Sequence, residues 1–177
     1  MRLFKPEVFQ GSLRKKNYFE GWYFKVVNAD ATKAFAFIPG IAMDAAGNKH
    51  SFIQGLDGKN QTAGYHRVTA DDFYSLPNNF RESILNNSFS GSGIQLSLPG
   101  LTGELQFTGN IPWPKPWYSP GIMGPYAFVP FMECYHGIVS MDHRVDGRII
   151  VGGEPNDFTN GRGYIEKDWG RSFPSAY

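Results

Sequence analysis

The chain has 177 residues and a formal net charge of +1, and 41% of its residues are hydrophobic, 16% aromatic and 19% charged. This length suits one domain with a substantial core, and the near-neutral charge gives no electrostatic sign of a nucleic-acid or anionic-membrane binder. The single cysteine, Cys134, excludes an internal disulfide framework and a multi-cysteine zinc site.

The N-terminal part is predicted to contribute little to the fold. Residues 1–16 are mixed and basic, and Lys5-Pro6 and Gly11 argue against a helix, so we expect a lead-in that packs late or not at all. No long apolar run indicates a secretory signal or a transmembrane helix, and a cytoplasmic protein is therefore expected.

Strands are predicted next. Residues 17–27 alternate in the manner of a strand, with Glu20, Trp22 and Phe24 on one face. Glu20 is the charged residue on a face that otherwise carries aromatic side chains, and the simplest expectation is that its carboxylate pairs with a lysine or with the backbone. Pro39-Gly40 indicates a bulge or bend. Three further strands are predicted at residues 34–43, 49–55 and 63–70, and His50 and His66 on them fit no metal motif.

The rest of the chain continues the β pattern. Residues 88–98 and 101–109 are predicted as two strands, and Asp146-Gly147 as a two-residue hairpin turn between strands at 131–144 and 148–151. Residues 152–157 are predicted as a loop. Short strands with short turns predict an all-β antiparallel meander, a barrel or curled sandwich forming a single domain over residues 1–177.

Residues 110–130 break this pattern. They hold several prolines and aromatic side chains, and they cannot form a central strand. A long loop of this kind predicts a lid or pocket wall, and the alternative is a plug at one end of the β structure.

Residues 161–174 form the stretch with the most chemistry. In a strand, Tyr164, Glu166 and Asp168 share one face, and Ile165, Lys167 and Trp169 share the other. Two interpretations stay open. Either Glu166 or Asp168 is a general acid with a raised pKa, or both carboxylates form ion pairs with neighbours such as Lys167, Arg162 or Arg171.

Three blocks of the sequence carry a family resemblance: residues 18–25, residues 120–124 continuing into 131–141, and residues 161–170. Together, and in this order, they resemble the tocopherol cyclase family and, more distantly, the carotenoid 1,2-hydratases. The resemblance implies a lipocalin-like β architecture built of two halves. Family members are about twice as long as this chain, and the three blocks match their N-terminal half.

The resemblance also implies a chemistry. A prenyl double bond is protonated to a tertiary carbocation, which a phenol oxygen captures in the cyclases and water captures in the hydratases. Such a reaction needs a desolvated carboxylic acid and aromatic faces, but no metal and no redox cofactor.

Carried over position by position, the resemblance assigns candidate roles to residues of this sequence. Tyr164 is followed two residues later by Glu166, where the hydratases have Asp, so Glu166 is the first candidate proton donor, Asp168 the second and Glu20 the third. His136 is a candidate to orient or reprotonate the acid, the alternative being a core histidine bonded to the backbone. The candidate substrate-binding residues, for which core packing is the alternative, are Glu20, Trp22, Tyr135, Trp169 and Trp117.

Three functional hypotheses follow. The first is a cyclase or hydratase acting on a hydrophobic prenylated substrate, with transient contact to a membrane surface and a second β domain in longer relatives. The second is a non-catalytic binder of prenyl lipids or other apolar ligands. The third, a carbohydrate-binding β-sandwich, gives the acids no part. A Glu166 carboxyl enclosed by aromatic rings favours catalysis, and one facing solvent or paired with Arg162 favours the binder.

Overall fold

The computed structural model describes residues 2–172, and β-strands make up most of its regular structure. Within that range the only helical segments are 3-10 turns at Arg2–Phe4, Ala70–Asp72 and Gly124–Phe128, none of them long or apolar enough to cross a bilayer. Phe173 and Pro174, at the end of the predicted last stretch, lie outside the described residues. The strands are β1 (Tyr18–Val27), β2 (Ala34–Met43), β3 (Lys49–Asp57), β4 (Thr62–Thr69), β5 (Phe73–Ser75), β6 (Arg81–Ile84), β7 (Asn87–Ser90), β8 (Gly93–Leu98), β9 (Leu101–Thr108), β10 (Cys134–Val151), β11 (Glu154–Asp157) and β12 (Gly161–Gly170).

All of these strands belong to one antiparallel sheet, which confirms the all-β meander prediction. The order is β4-β3-β2-β1-β12-β10-β9-β8-β7-β6-β5, with β11 paired to β10 beside this path. The sheet curls, because β3 packs against β6 and against the Ala70–Asp72 turn, but the end strands β4 and β5 are not paired with each other. The result is a curled lipocalin-like sheet in which β12 lies centrally, between β1 and β10.

The inner face of the curled sheet holds an aromatic core. Trp22, Phe24 and Val26 of β1 are fully buried, and their alternation with less buried neighbours follows the two-residue period of a strand. Phe24 packs against Phe89 and Phe107, with ring centroids 5.7 and 6.2 Å apart. Each such side chain contributes roughly 1.5–3 kcal/mol by leaving water, so this face stabilises the fold.

The predicted hairpin at Asp146-Gly147 is wrong, because β10 runs unbroken from Cys134 to Val151. Gly147 has a φ of +133°, and a Cβ there would lie 2.3 Å from the carbonyl oxygen of Glu104 on β9. The glycine therefore permits close approach of two strands and does not form a turn. The chain turns later, at Gly152-Gly153, and the predicted loop after them contains β11.

One further strand prediction is wrong, because residues 88–98 form the hairpin β7–β8 and not one strand. Of the bulge or bend predicted at Pro39-Gly40, the bulge is excluded, because the pairing of Gly21 with Gly40 and of Phe24 with Phe37 keeps one register. The bulges lie in β10, between Ile138 and His143, where the alternation of inward and outward side chains shifts.

The N-terminal lead-in also differs from the prediction. Pro6 and Val8 are buried, and Phe9 packs against Phe73 with ring centroids 5.3 Å apart. The segment therefore belongs to the folded domain, because its apolar side chains cover the open end of the core.

Candidate active site

The alternation of β12 divides its functional side chains between the two faces of the sheet, as the sequence predicts. Ile165 and Lys167 are fully buried and point inward, whereas Tyr164, Glu166 and Asp168 are partly exposed on the outer face. The neighbouring strands add His136 opposite Asp168 and Tyr23 opposite Glu166 to the same outer face.

The outer cluster, Tyr164, Glu166, Asp168 and His136, is one continuous polar chain. The His136 Nδ1–H donates to Asp168 Oδ1 at 2.7 Å, since an ionised carboxylate can only accept. The other imidazole nitrogen, Nε2, lies 3.7 Å from Glu166 Oε2, and the Tyr164 hydroxyl donates a short hydrogen bond to that same oxygen. Asp168 thus fixes the orientation of the imidazole, whose second nitrogen faces Glu166.

Proton affinity in the outer cluster is tuned by these contacts. The hydrogen bond to Asp168 raises the pKa of His136 above its ordinary value, the charges of Asp168 and Glu166 add to the rise, and partial burial opposes it. Burial and the hydrogen bond to Glu166 raise the pKa of Tyr164, so this phenol stays protonated and acts as a donor. Burial and the charge of Asp168 raise the pKa of the Cys134 thiol to about 11. The thiol is therefore protonated at neutral pH and unreactive.

The outer cluster is not enclosed in the way that the catalytic prediction requires. The side chains of His136, Glu166 and Asp168 are 36%, 24% and 22% exposed. Glu166 is not among the residues that line the five cavities described within residues 2–172, so none of these five is the expected aromatic pocket around its carboxyl.

The predicted cationic partners of these acids are elsewhere. Arg162 pairs with Asp142, Arg171 donates to the carbonyl of Phe131, and Lys167 points to the opposite face. Among the described groups, the ion pairs of Glu166 and Asp168 are therefore with His136.

The outer cluster also offers metal-ligand atoms. One atom each from His136, Glu166 and Asp168 lies within 4.8 Å of the others. Both imidazole nitrogens already face carboxylates, so an ion bound through Nδ1 would have to replace the hydrogen bond to Asp168. The absence of a metal requirement stays a prediction.

A second cluster, the inner cluster of Lys167, Glu20, Tyr18 and Glu82, lies on the other face of the sheet. Lys167 and Glu20 form a fully buried ion pair, as the simplest expectation for Glu20 anticipates. The Tyr18 hydroxyl donates to Glu20 Oε2 at 2.6 Å. The Lys167 ammonium lies over the rings of Trp22 and Trp169, 4.6 and 5.1 Å from their centroids.

Glu82, on β6, was not predicted as a functional residue. It is fully buried, and within residues 2–172 neither of its carboxylate oxygens has a hydrogen-bond partner. Burial raises its pKa to about 8, although nearby Ser75 and the charge of Lys167 offset part of the rise. Glu82 is the carboxyl that the structure holds neutral. The sequence pattern that could have identified Glu82 is the alternation of Glu82 and Ile84 with polar neighbours, because it puts an acid on an apolar strand face.

An open cavity of about 720 Å³ lies at the end of the sheet beside the inner cluster. Tyr135 and Trp169 stack there with centroids 5.6 Å apart, and residues 127–130 of the long loop, together with the next two residues, form a second wall. The loop thus lines a cavity, in agreement with the predicted pocket wall. Trp22 is a buried core residue, and Trp117 is 84% exposed and lines none of the described cavities.

Comparisons with known proteins give the fold class. No protein-family model matches the sequence, and no curated protein matches it. Solved structures do match: CghA crystallised with Sch210972 (TM-score 0.53, 11% identity) and an ATTH-type protein, NE1406, from Nitrosomonas europaea (TM-score 0.56, 13% identity). The matches cover 87% and 89% of this chain but only 46% and 53% of those proteins.

The TM-scores establish a shared fold, and at 11% and 13% identity nothing further follows. The chain has the lipocalin-like architecture of its structural neighbours and spans about half of their length.

Proposed function

We propose that this chain carries the proton-donating part of a tocopherol cyclase-like site, which closes a ring on a hydrophobic prenylquinol-type substrate. The observation that supports the proposal is the chain of contacts Asp168–His136–Glu166–Tyr164 on the outer face of β12. In this chain of contacts His136 has a raised pKa. Its Nδ1 is bonded to Asp168, so its Nε2 faces the Glu166 carboxylate.

The proposed proton path uses these residues in order. The His136 imidazolium passes a proton from Nε2 to Glu166, and the resulting carboxylic acid adds that proton to a carbon of the prenyl double bond. The tertiary cation is captured by the substrate's own phenol oxygen, and the phenol proton returns to Glu166. No proton is consumed overall, and no metal or redox cofactor takes part.

The open outer face needs a cover for this chemistry. Water must be kept from the carbocation, and the phenol rings beside Glu166 are those of Tyr23, its cross-strand neighbour, and Tyr164, its hydrogen-bond donor. The resemblance implies a second β domain in longer relatives. We infer that such a domain completes the pocket.

The test is turnover of a prenylated hydroquinone, with the chroman product detected by mass spectrometry. Glu166→Gln keeps the size of the side chain but removes the transferable proton, and we expect product formation to fall by about 10²–10⁴-fold, the usual contribution of a general acid. Glu154→Gln, a matched change of an exposed acid on β11, should leave the rate unchanged. An unchanged rate in Glu166→Gln would remove the proposed donor.

The open cavity favours a second candidate function, non-catalytic binding of prenyl lipids or other apolar ligands. Its volume of about 720 Å³ and its Tyr135–Trp169 stack suit a ligand of moderate size. Binding of the hydroquinone to this chain, followed by tryptophan fluorescence and lost in Tyr135→Ala, would support this candidate over the cyclase if a longer relative that carries the second β domain also forms no chroman. Absence of binding to this chain, together with absence of turnover by such a longer relative, would contradict both.

A further inference from the structure

The N-terminal strap, residues 3–11, lies against the inner cluster as a bound peptide would. It pairs with no strand, yet Pro6 and Val8 are buried, and Phe9 packs on Phe73. Its fit is close, because a Cβ on Gly137 of β10 would lie 2.3 Å from the ring of Pro6.

The backbone of the strap satisfies the charged groups of the inner cluster. Glu20 accepts the N–H groups of Gln10 at 2.7 Å and Gly11 at 2.9 Å. Lys167 donates to the carbonyl oxygen of Val8. The Trp22 indole N–H donates to the carbonyl oxygen of Glu7 at 2.8 Å.

The groups that hold the strap lie on paired strands of the sheet, whereas residues 3–11 themselves form no strand. Glu20 and Lys167 lie on the adjacent central strands β1 and β12, whose register fixes their positions. Buried polar groups must keep hydrogen-bond partners, so anything that replaces the strap must offer both an acceptor and donors.

The strap lies between the open cavity and the polar groups of the inner cluster, which form the floor of the proposed site. Leu3 and Gln10 line the cavity from the strap, and Tyr18, which is bonded to Glu20, lines it from β1. Withdrawal of the strap would join the cavity to a floor that also contains Glu82, a fully buried carboxyl without a hydrogen-bond partner in the described chain.

We propose that the strap occupies an interior ligand site and that an amphipathic small molecule takes its place, with an acceptor oxygen on Lys167, N–H or O–H donors on Glu20 and an apolar body against Trp22 and Phe73. This site lies on the opposite face of β12 from the outer cluster. The proposal therefore stands independently of the cyclase function.

The test releases the strap and measures binding of a probe. Val8→Asp adds a charge at a buried position of the strap beside Glu20, and Leu13→Asp adds the same charge at an exposed position just beyond it. The probe is anilinonaphthalene sulfonate, which combines apolar rings, an N–H and an anionic acceptor. Near-ultraviolet circular dichroism and a cooperative unfolding transition show that each variant remains folded.

The expected result is one saturable site in Val8→Asp that binds the probe at least about tenfold more tightly than the wild type or Leu13→Asp. A synthetic peptide of residues 3–11 should displace the probe. The neutral pair Glu20→Gln with Lys167→Met, added to Val8→Asp, should weaken binding about tenfold or more. A folded Val8→Asp protein without added binding, or binding that ignores the peptide and the neutral pair, overturns the proposal.

A second measurement on the wild-type chain covers the case in which Val8→Asp does not fold. Native-state hydrogen exchange should show the amides of Gln10 and Gly11 opening at least about tenfold faster than that of Phe24 in β1, because the strap can leave while the sheet stays intact. Equal protection of these amides would show that the strap is part of the core and would overturn the proposal.

Discussion

The two faces of β12 place similar chemical groups in opposite environments. Lys167 stands between Glu166 and Asp168 in the sequence, but it is fully buried beside Glu20, whereas its two neighbours are partly exposed beside His136. The inner face holds a lysine–glutamate pair and a neutral acid, and the outer face holds a histidine and two carboxylates.

The contrast shows how burial decides what such a cluster can do. Charges removed from water must stay paired, because the cost of an uncompensated buried ion exceeds the gain of most single contacts. The inner cluster therefore fixes positions and holds the strap. The outer cluster can exchange protons with solvent, and the hydrogen bond to Asp168 raises the pKa of its histidine above the ordinary value, which suits a proton donor.

The largest effect is expected from breaking the inner ion pair. Lys167→Met leaves the buried Glu20 carboxylate without its partner, and we expect a loss of about 3–5 kcal/mol in the free energy of unfolding. Urea denaturation followed by tryptophan fluorescence measures this loss.

The control for this prediction restores charge balance. The double variant Lys167→Met with Glu20→Gln replaces the ion pair with neutral groups and should recover most of the stability, since removal of both charges is often nearly neutral. A double variant as unstable as the single one would show that packing, and not charge pairing, dominates at this position.

The next largest effect concerns the pH dependence of stability through Glu82. The folded chain keeps this carboxyl protonated up to about pH 8, whereas the unfolded chain releases the proton near the ordinary glutamate pKa of 4.5. The folded state therefore binds more protons between these values, and the group's contribution to stability falls as pH rises.

We expect the unfolding free energy of the wild type to fall relative to Glu82→Gln by up to about 1.4 kcal/mol per pH unit in this window. Urea denaturation of both proteins across the window checks the slope. Glu154→Gln, at an exposed position, should run parallel to the wild type. A constant difference between wild type and Glu82→Gln would mean that Glu82 is ionised throughout.

The same contrast between faces explains what the sequence could predict. Alternation along β12 was enough to separate Lys167 from Glu166 and Asp168, because the period of a strand is independent of its partners. The all-β meander followed from the turn residues in the same way. The resemblance brought His136 to the outer cluster, and the cross-strand register places it opposite Asp168.

What the sequence could not supply was the set of long-range contacts. The strap carries no strand pattern, and its place is set by side chains far along the chain, above all Lys167. The Asp146-Gly147 dipeptide has the composition of a hairpin, yet pairing with β9 and β11 keeps β10 straight through it. Whether Glu82 is neutral depends on burial by several strands, which no local window contains.

The smallest effect on stability, and the most specific for the outer face, is expected from Asp168→Asn. The hydrogen bond to Asp168 is the main cause of the raised pKa of His136, so the pKa should fall when the carboxylate becomes an amide. His136 is 36% exposed, and solvent screening limits the change in stability to under about 1 kcal/mol. Its sign is still defined: the contribution is present below the unfolded pKa of about 6.5 and is lost as pH rises through the higher folded value.

Titration of the imidazole signals by NMR measures the pKa directly, and His50 is the internal control. Burial and Arg67 lower the pKa of His50, and its ring bonds to the Tyr65 hydroxyl at 2.9 Å, so its titration should not change in Asp168→Asn. An unchanged pKa for His136 would mean that Asp168 does not hold its proton. The proposed supply of protons from His136 to Glu166 on the outer face would then lose its support, while the inner face, which depends on Lys167 and Glu20, would be unaffected.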